Sequence, residues 1–345
     1  MDEAHIHFHF GGGVMVESAP KPKPTPKPLY VGINKNAYNE YNKIRYSNDG
    51  SNWSNSVNAV FNNNFGNCFN GIAYGSNMWM VIGSQDNSQI SSIAYSKNGS
   101  NWSNIASGGF KNTTGIAYGN NMWVAVGDYG EINTNVLSSI QYSKNGSNWS
   151  NINSGGFYKN NATSIAYGNN MWVATGGWST ESHSTIQYSK DGSNWSNIAS
   201  GGFDTNYGGT KVVYGNNMWV ASGGDSYNPL SSIQYSKNGS NWSNIVSCGF
   251  NNYGASDLAY GNNTWVAINF NSESLISSIQ YSKNGSNWSN GGNGLVSYPY
   301  NITYTTVGTN NTPLWIANGT LMQYSSNGSI WYNNEHYNIS YVTKK

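Results

Sequence analysis

The sequence predicts an all-β protein: a seven-bladed β-propeller of four-stranded blades, closed by its own C-terminal strand. Three observations predict this fold. A similar unit recurs seven times, each unit contains a turn that ends on tryptophan, and the end of the chain resembles the strand that the first unit lacks. The turn tryptophans lie 43 to 49 residues apart, at Trp53, Trp102, Trp149, Trp195, Trp242, Trp288 and Trp331.

Each unit contains four short stretches with strand character, named A to D here. In the third unit these are 115–118, 122–126, 139–143 and 148–152, separated by Asn- and Gly-rich turns. Asn and Gly tolerate positive φ at low cost, which suits the tight turns of antiparallel strands. Four strands in a repeat of this length are typical of a propeller blade.

The two ends of the chain predict how the ring closes. The first unit begins at its strand B, in 29–33, and has no strand A of its own. The segment 336–342 resembles the missing strand, so we expect it to complete the first blade and to pair an otherwise open edge. The alternative is an open solenoid, which would normally carry atypical capping repeats.

The turn between strands C and D resembles a known motif. Segment 96–102 reads S-K-N-G-S-N-W and is similar to a shortened Asp-box, the S-x-D-x-G-x-x-W turn of sialidase-type propellers. Asn occupies the Asp position in most copies, and Asp occurs only at Asp49 and Asp191. The resemblance runs copy by copy through 29–342. It implies a structural turn away from any catalytic site, with its tryptophan between neighbouring sheets.

Enzymatic activity is not expected. A sialidase needs three arginines to hold a carboxylate, whereas this chain has only Arg45. The acidic residues follow no shared spacing, and no nucleophile, phosphate-loop or zinc motif occurs, so no cofactor and no resident metal are expected. Cys68 and Cys248 lie in linkers of distant blades, beyond disulfide reach, and are expected to be free thiols that pack rather than react.

Composition excludes other functional classes. Charged residues make up 9% of the chain and the net charge is +1, which argues against a nucleic-acid-binding surface. The sequence contains no run of 18 apolar residues, so membrane insertion is not expected. Residues 1–16 do not resemble a standard secretory signal.

Sequence variation is concentrated on one face of the predicted disc. The A–B and C–D turns, which share one face, are nearly identical between repeats, whereas the B–C and D–A connections differ. We call these the constant face and the variable face. Aromatic, amide and carboxylate groups on the variable face suit a carbohydrate or glycoprotein ligand. The candidate ligand-binding residues are Trp178, Tyr129, Glu131, His183, Tyr158, Tyr207, Tyr227 and Asp225. The alternative is that these loops only maintain solubility and that Trp178 packs against its own blade.

The constant face carries most N-x-S/T sequons. Candidate glycosylation sites are Asn98, Asn101, Asn145, Asn148, Asn238, Asn241, Asn284 and Asn287. Because the N-G-S-N-W-S turn is itself duplicated, the number of sequons is not independent support for glycosylation.

Residues 1–18 predict a docking arm, 19–28 a stiff Pro/Lys-rich linker and 29–345 the propeller. In the arm, strict alternation places Ile6, Phe8 and Phe10 on one side of a strand, which could add to another protein's sheet. The opposite side carries His5, His7 and His9, which could bind a metal in a homotrimer. A flexible tail is the alternative.

A docking arm, a spacer and a disc with one variable face together suggest a displayed adhesin. The first hypothesis is a virion spike or tail-fibre propeller that binds a host-surface glycan or glycoprotein, held by another virion protein through its arm, possibly as a homo-oligomer. Its location would be the virion surface, outside the cell. The alternatives are a secreted or wall-attached cellular lectin and a purely structural virion disc. The step to viruses rests on analogy.

Overall fold

The computed structural model describes residues 8–9, 30–33, 44–48, 52–56, 69–84, 92–128, 130–132, 135–157, 160–177, 184–204, 208–224, 229–250, 254–269, 278–292, 301–307, 312–318, 322–334 and 341–344. These residues form seven antiparallel sheets of strands A to D, arranged as the blades of a propeller. The predicted fold class is confirmed.

The strands recur at corresponding positions in every blade. From blade 1 to blade 7, strand A spans Tyr341–Lys344, Phe69–Gly75, Thr113–Gly119, Ala162–Gly168, Gly209–Gly215, Asp257–Gly261 and Asn301–Val307. Strand B spans Tyr30–Ile33, Met78–Gly83, Met122–Gly127, Met171–Gly176, Met218–Gly223, Thr264–Ile268 and Thr312–Asn318. Strand C spans Ile44–Ser47, Ile93–Ser96, Ile140–Ser143, Ile186–Ser189, Ile233–Ser236, Ile279–Ser282 and Met322–Ser325. Strand D spans Ser54–Asn55, Ser103–Asn104, Ser150–Asn151, Ser196–Asn197, Ser243–Asn244, Trp288–Asn290 and Tyr332–Asn334.

The ring closes as the sequence predicts. Tyr341–Lys344 pairs with Tyr30–Ile33, so the last strand of the chain is strand A of blade 1. The paired segment lies at the C-terminal end of the predicted 336–342 and extends two residues beyond it. Closure in this way pairs an edge of blade 1 that would otherwise be left open.

Within each blade, strands A to D follow one another from the centre of the ring to its rim. The A strands of successive blades contact one another, which places them around the axis, while the short D strands lie outermost. In each of blades 2 to 7, a tyrosine of strand A packs on the tryptophan of strand B. In blade 3 the ring centroids of Tyr118 and Trp123 are 4.9 Å apart.

The hydrophobic core lies between blades rather than inside one blade. Between blades 3 and 4 it contains Trp172 and Trp195 of blade 4, Val124 of blade 3 and Phe157 from the linker that joins them. The same two tryptophan positions fill the other described interfaces, from blade 1–2 to blade 6–7. Each blade therefore depends on its neighbours for burial of its apolar side chains.

The A–B turns show why the repeat keeps its Y-G-N-N sequence. Asn120 and Asn121 have φ angles of +45° and +55°, a left-handed conformation that Asn adopts more readily than most residues. At Gly119, a Cβ atom would lie 2.1 Å from the ring of Tyr167 in the next blade. The glycine allows this close approach, so the turn sequence is fixed by packing between blades.

Some predicted bounds differ from the structure. In blade 3, strand A extends to Thr113–Gly119, longer than the predicted 115–118, whereas strand D shrinks from 148–152 to Ser150–Asn151. Strand D pairs with strand C through only two residue pairs because it lies at the outer edge and the chain then turns toward the next blade. The B–C connection of this blade also forms an unexpected hairpin, Gly130–Ile132 with Asn135–Leu137.

Blade 7 departs from the other blades at its A–B end. Its A–B pairing continues past Tyr304 to Val307 and Thr312, where other blades have a two-residue turn. The predicted arm contributes a strand, Phe8–His9, which pairs with the chain's own strand A of blade 7 at Val307 and Thr306. Docking onto another protein's sheet stays a prediction. Ile6, Phe10, His5 and His7 lie outside the described residues.

Cys248 is exposed, so the expectation that it packs in the interior was wrong. It occupies a position that is glycine in the other S-G-G-F linkers and has a φ of +60°. Cys68 lies outside the described residues. In the part of the chain that is described, no helix is long and apolar enough to cross a membrane.

Candidate binding surfaces

The C–D turns of the constant face are held by a repeated set of hydrogen bonds. In blade 2, Ser96 Oγ accepts from the Gly99 amide at 2.8 Å, and Asn98 Oδ1 accepts from the Asn101 amide at 2.8 Å. The indole Nε1 of Trp102 donates to the Gly99 carbonyl at 3.0 Å. Every side chain that defines the motif is thus used inside the turn. These residues satisfy buried backbone groups and leave little for a ligand.

The same turns join neighbouring blades. The Trp149 amide donates to the Ser107 carbonyl at 3.0 Å, and the Ala106 amide donates to the Ser147 carbonyl at 2.8 Å. We call this contact, between a C–D turn and the linker that leaves the preceding blade, the inter-blade joint. A Cβ atom on Gly108 would lie 2.5 Å from the Trp149 carbonyl oxygen, so the linker glycine permits the approach. The constant face is therefore a framework.

The candidate glycosylation sites fall into two structural groups. The first asparagine of each turn uses Oδ1 to accept backbone amides, as described for Asn98, and this group comprises Asn98, Asn145, Asn238 and Asn284. The second asparagine is exposed in each turn, and this group comprises Asn101, Asn148, Asn241 and Asn287. Three members of the first group, Asn145, Asn238 and Asn284, are exposed as well, so the two groups differ in whether Oδ1 caps the turn and not in exposure.

Asp191 replaces the first asparagine in blade 4. Its carboxylate accepts from the amides of Ser193 and Asn194 at 2.9 and 2.8 Å and from the Asn194 side chain at 2.8 Å. Partial burial acts to raise the pKa of Asp191, but these hydrogen bonds outweigh it and hold the pKa well below the usual value. The turn therefore accommodates either Asp or Asn at this position with the same backbone hydrogen bonds.

The linkers that lead to the variable face are clamped at their start. Gln141 of blade 3 accepts from the Gly109 amide at 2.7 Å and donates to the Gly109 carbonyl at 3.1 Å. The same two-way contact joins Gln187 to Gly156, Gln234 to Gly202 and Gln280 to Gly249. A fixed starting point lets the rest of each connection vary without disturbing the blades.

A polar network occupies the described part of the variable face between blades 2 and 3. Asn112 Oδ1 accepts from Ser84 Oγ at 2.6 Å and from Asn70 Nδ2 at 2.9 Å. The side-chain Nδ2 of Asn112 in turn donates to Asp128 Oδ1 at 3.2 Å. Burial raises the pKa of Asp128, and Asn112 and Lys111 partly oppose that shift. Sequence analysis missed this network, because its members are distant in sequence and meet only when two blades pack.

Most predicted ligand-binding residues fall outside the described residues. These are Trp178, Tyr129, His183, Tyr158, Tyr207, Tyr227 and Asp225. Glu131 lies in the hairpin strand Gly130–Ile132, of which the backbone is described. Gly177 and Gly208, next to two of these loops, have φ angles of +76° and +63°, a left-handed conformation that glycine adopts at little cost.

A second set missed by sequence analysis lies on the inner strands. The residue before the I-A-Y core of strand A changes around the ring, through Gly71, Gly115, Ser164, Lys211, Asp257 and Asn301. Asp257 is 5% exposed. It forms an ion pair with Lys211 at 3.2 Å and accepts from the Ile302 amide at 2.9 Å. These contacts connect blades 5, 6 and 7 near the axis. Their signal is visible when the repeats are aligned on the tyrosine.

The outer edge of blade 7 carries a third missed feature. Tyr324, Ile330 and Tyr332 are 39%, 44% and 53% exposed. Tyr324 and Tyr332 are paired across strands C and D, and their ring centroids are 5.8 Å apart. The sequence does show the departure, since N-G-S-N-W-S becomes N-G-S-I-W-Y in this blade.

Potential catalytic groups are dispersed in the described residues. No three His, Cys, Asp or Glu side chains there lie close enough together to hold a metal ion. The single arginine, Arg45, lies in strand C of blade 1.

Comparisons with known proteins support the fold only. No protein-family model matches the chain, and no curated protein matches it in sequence. A structure of YCF48 bound to D1 peptide aligns with a TM-score of 0.51 and 14% identity, over 92% of this chain and 100% of that chain. YCF48 from Cyanidioschyzon merolae aligns with a TM-score of 0.48 and 14% identity, over 84% of this chain and 94% of that chain. The computationally designed Ika8 protein aligns with a TM-score of 0.41 and 11% identity, over 83% and 95%.

Proposed function

We propose that this chain is a non-catalytic binding scaffold that recognises its ligand through the variable face. The observation that carries the proposal is the difference between the two faces. On the constant face, side chains with defined roles hydrogen-bond within the turns, whereas the connections of the variable face start from clamped glycines and then diverge. Because the hydrogen bonds of the constant face hold the blades together, the sequence of the variable face can change without loss of stability.

A non-enzymatic role is part of this proposal. Supporting it, Asp257 is the one buried carboxylate among the described side chains, and an ion pair and backbone contacts between blades occupy it. Asp128 belongs to a network whose other described members are amides and a hydroxyl, whereas a glycosidase requires a pair of placed carboxylates. The likeness of the C–D turns to the Asp-box belongs here too, since their hydrogen bonding is that of a structural turn.

The finer form of the proposal is attachment to a host-surface glycan or glycoprotein, with the chain displayed on a virion and held by its N-terminal arm. What supports it is the chemistry of the variable connections, which combine Trp and Tyr with Asn and Asp and carry little net charge. Aromatic rings stack on sugar faces, and amides and carboxylates bind hydroxyl groups.

Recognition of a protein segment is the second candidate. The observation in its favour is the fold likeness to YCF48 bound to D1 peptide, which extends over 92% of this chain. An extended peptide needs backbone partners and shallow polar pockets, and the Asn70, Asn112 and Asp128 network offers such groups at the described part of the variable face.

The test compares matched surface variants of the full chain. Wild type, Trp178→Ala and the constant-face control Asn101→Ala would be applied to a printed glycan array and to an array of overlapping peptides. The proposal expects wild type and Asn101→Ala to bind the same probes and Trp178→Ala to bind them at least about tenfold more weakly, as the loss of a central aromatic contact typically does.

Each outcome separates the hypotheses. Binding to glycans supports the adhesin form, and binding to peptides alone supports the second candidate. Equal binding by Trp178→Ala and wild type would remove the variable face from the proposal. No binding to either array would contradict the scaffold function itself.

A further inference from the structure

We propose that Tyr324, Ile330 and Tyr332 form a stacking site for an uncharged saccharide on the outer edge of blade 7. This site lies on strands C and D beside the constant face, away from the variable connections. It therefore does not depend on the function proposed above.

Blade 7 differs from the other blades in one cross-strand pair of strands C and D. In blades 1 to 6 the strand C tyrosine lies opposite a serine of strand D, as Tyr142 lies opposite Ser150. In blade 7 the partner of Tyr324 is Tyr332, and the two ring planes are inclined by 32° with centroids 5.8 Å apart. Paired residues project from the same side of a sheet. Blade 7 thus presents two adjacent rings where the other blades present one ring and a hydroxyl.

The exposure of these rings is unusual for the repeat. The equivalent tyrosine in each of blades 1 to 6 packs against the apolar cluster shared with the following blade. Tyr324 contacts Tyr332 and is 39% exposed, and Tyr332 is 53% exposed. Ile330, 44% exposed, stands where blades 2 to 6 have an asparagine, two residues before Tyr332. Its neighbour Trp331 is buried, so alternation places Ile330 and Tyr332 outward together.

The surroundings of the rings are polar and uncharged. Blades 2 to 6 place an exposed lysine in the C–D turn, at Lys97, Lys144, Lys190, Lys237 and Lys283. Blade 7 has Ser326 at that position. Asn327 follows, and its Oδ1 is fixed by the Ser329 and Ile330 amides at 2.9 and 3.0 Å, which orients the side-chain amide at the edge of the platform.

These features favour a sugar over a protein. Aromatic faces beside fixed amides and hydroxyls match the alternating apolar and hydroxyl surfaces of a pyranose ring. Loss of the lysine removes the charge that an anionic ligand would need. Three side chains are also far from the about 800 Å² that each partner buries in a stable protein interface.

The experiment is saturation-transfer NMR of the full chain with neutral hexasaccharides of glucose, mannose and galactose. We expect transfer to at least one of them, and a dissociation constant roughly tenfold higher for Tyr332→Ser, because stacking on one ring is lost. Tyr332→Ser introduces the residue of the other blades at an exposed position. The melting temperature of each variant verifies folding.

A matched control places a tyrosine on another blade. Ser150→Tyr in the Tyr332→Ser background adds an exposed ring opposite Tyr142, which is half-buried in the core between blades 3 and 4. We expect no recovery of binding. Recovery would show that any exposed aromatic ring restores saccharide binding, and it would overturn the proposal.

Three further results would overturn it: no transfer to any hexasaccharide, equal transfer to wild type and Tyr332→Ser, or self-association of wild type that Tyr332→Ser abolishes. The last result would assign the patch to a protein contact. Because the variable-face test uses Trp178→Ala on separate arrays, failure of this site and failure of the proposed function are distinguishable.

Discussion

Blades 3 and 7 carry the same C–D turn at the outer edge of the ring and present different surfaces there. In both, serine and asparagine cap the turn and the tryptophan indole donates to the glycine carbonyl, at 3.1 Å in blade 3 and 3.2 Å in blade 7. The outward positions differ: Lys144, Asn148 and Ser150 in blade 3 correspond to Ser326, Ile330 and Tyr332 in blade 7.

The two blades together distinguish residues of the repeat that maintain the framework from residues that face solvent. Positions that close hydrogen bonds or permit close approach are kept in both blades, because any change there affects two neighbouring blades at once. Positions that face solvent are free of these packing and hydrogen-bonding constraints. A departure at such a position, in an otherwise uniform array, marks a candidate for function. Framework variants should therefore alter stability, and blade 7 surface variants should alter binding alone.

The largest expected effect tests the inner attachment of blade 7. Asp257→Ala removes the ion pair with Lys211 and the acceptor of the Ile302 amide. We expect a loss of about 2–3 kcal/mol in the free energy of unfolding, because a buried donor is left without its partner. Denaturant unfolding measures it. Asp257→Asn retains an acceptor and should lose about half as much, and wild-type stability in Asp257→Ala would refute the role of this contact.

The next effect breaks an inter-blade joint. Gly108→Ala adds a Cβ atom 2.5 Å from the Trp149 carbonyl oxygen, at a φ of +75°, and should cost about 1–2 kcal/mol. Gly292 lies in the joint between blades 6 and 7, where the nearest atom to an added Cβ is 3.7 Å away. Gly292→Ala should stay within about 0.5 kcal/mol of wild type in the same unfolding measurement. Equal losses in the two variants would contradict the packing argument.

A smaller effect of opposite sign is expected at Cys248. Cys248 has a left-handed conformation, and in its joint the Trp288 amide donates to Ser247 Oγ at 3.1 Å. In four other inter-blade joints the equivalent tryptophan amide donates to a serine or glycine carbonyl. Cys248→Gly should relieve the strain and stabilise the protein by about 0.5–1 kcal/mol. Thermal unfolding provides the comparison, with Cys248→Ser as the control that keeps the strain. A stabilised serine variant would point to thiol chemistry instead.

The smallest effect is a pH dependence of the blade 4 turn. Hydrogen bonds lower the pKa of Asp191 in the folded state despite the opposing effect of burial, so the charged carboxylate adds stability above about pH 4, the usual carboxyl range. That contribution disappears as the pH falls through the lowered pKa. Asp191→Asn should melt slightly below wild type at neutral pH and converge with it in acid. Asn98→Asp should acquire the dependence, and parallel melting curves at all pH values would count against it.

Much of the fold was predictable because the same turn and strand signals recur in each repeat. The repeated Asn- and Gly-rich turns, the series of turn tryptophans and the missing first strand together indicated four-stranded blades and closure by the C-terminal strand. Strand D was predicted too long, because residues such as Asn148 alternate like strand residues but bridge to the neighbouring blade instead. A joint between blades leaves no local signal within one repeat.

The candidate sites were less predictable for a related reason. The importance of Asp257, and of the network around Asn112, depends on which residues meet when blades pack. The change at Tyr332 was readable, but its meaning required the knowledge that it lies opposite Tyr324 and outside the core. The variable connections were identified by their differences in length and composition, which say where a ligand could bind without fixing side-chain positions.

The most direct test of the division between framework and function restores the turn of blade 7 to the sequence of its neighbours. The triple variant Ser326→Lys, Ile330→Asn and Tyr332→Ser would be compared with wild type for melting temperature and for saturation transfer to the neutral hexasaccharides in the same sample. We expect an unchanged melting temperature and loss of the transfer signal. A destabilised variant, or one that keeps the signal, would show that these departures do not serve binding.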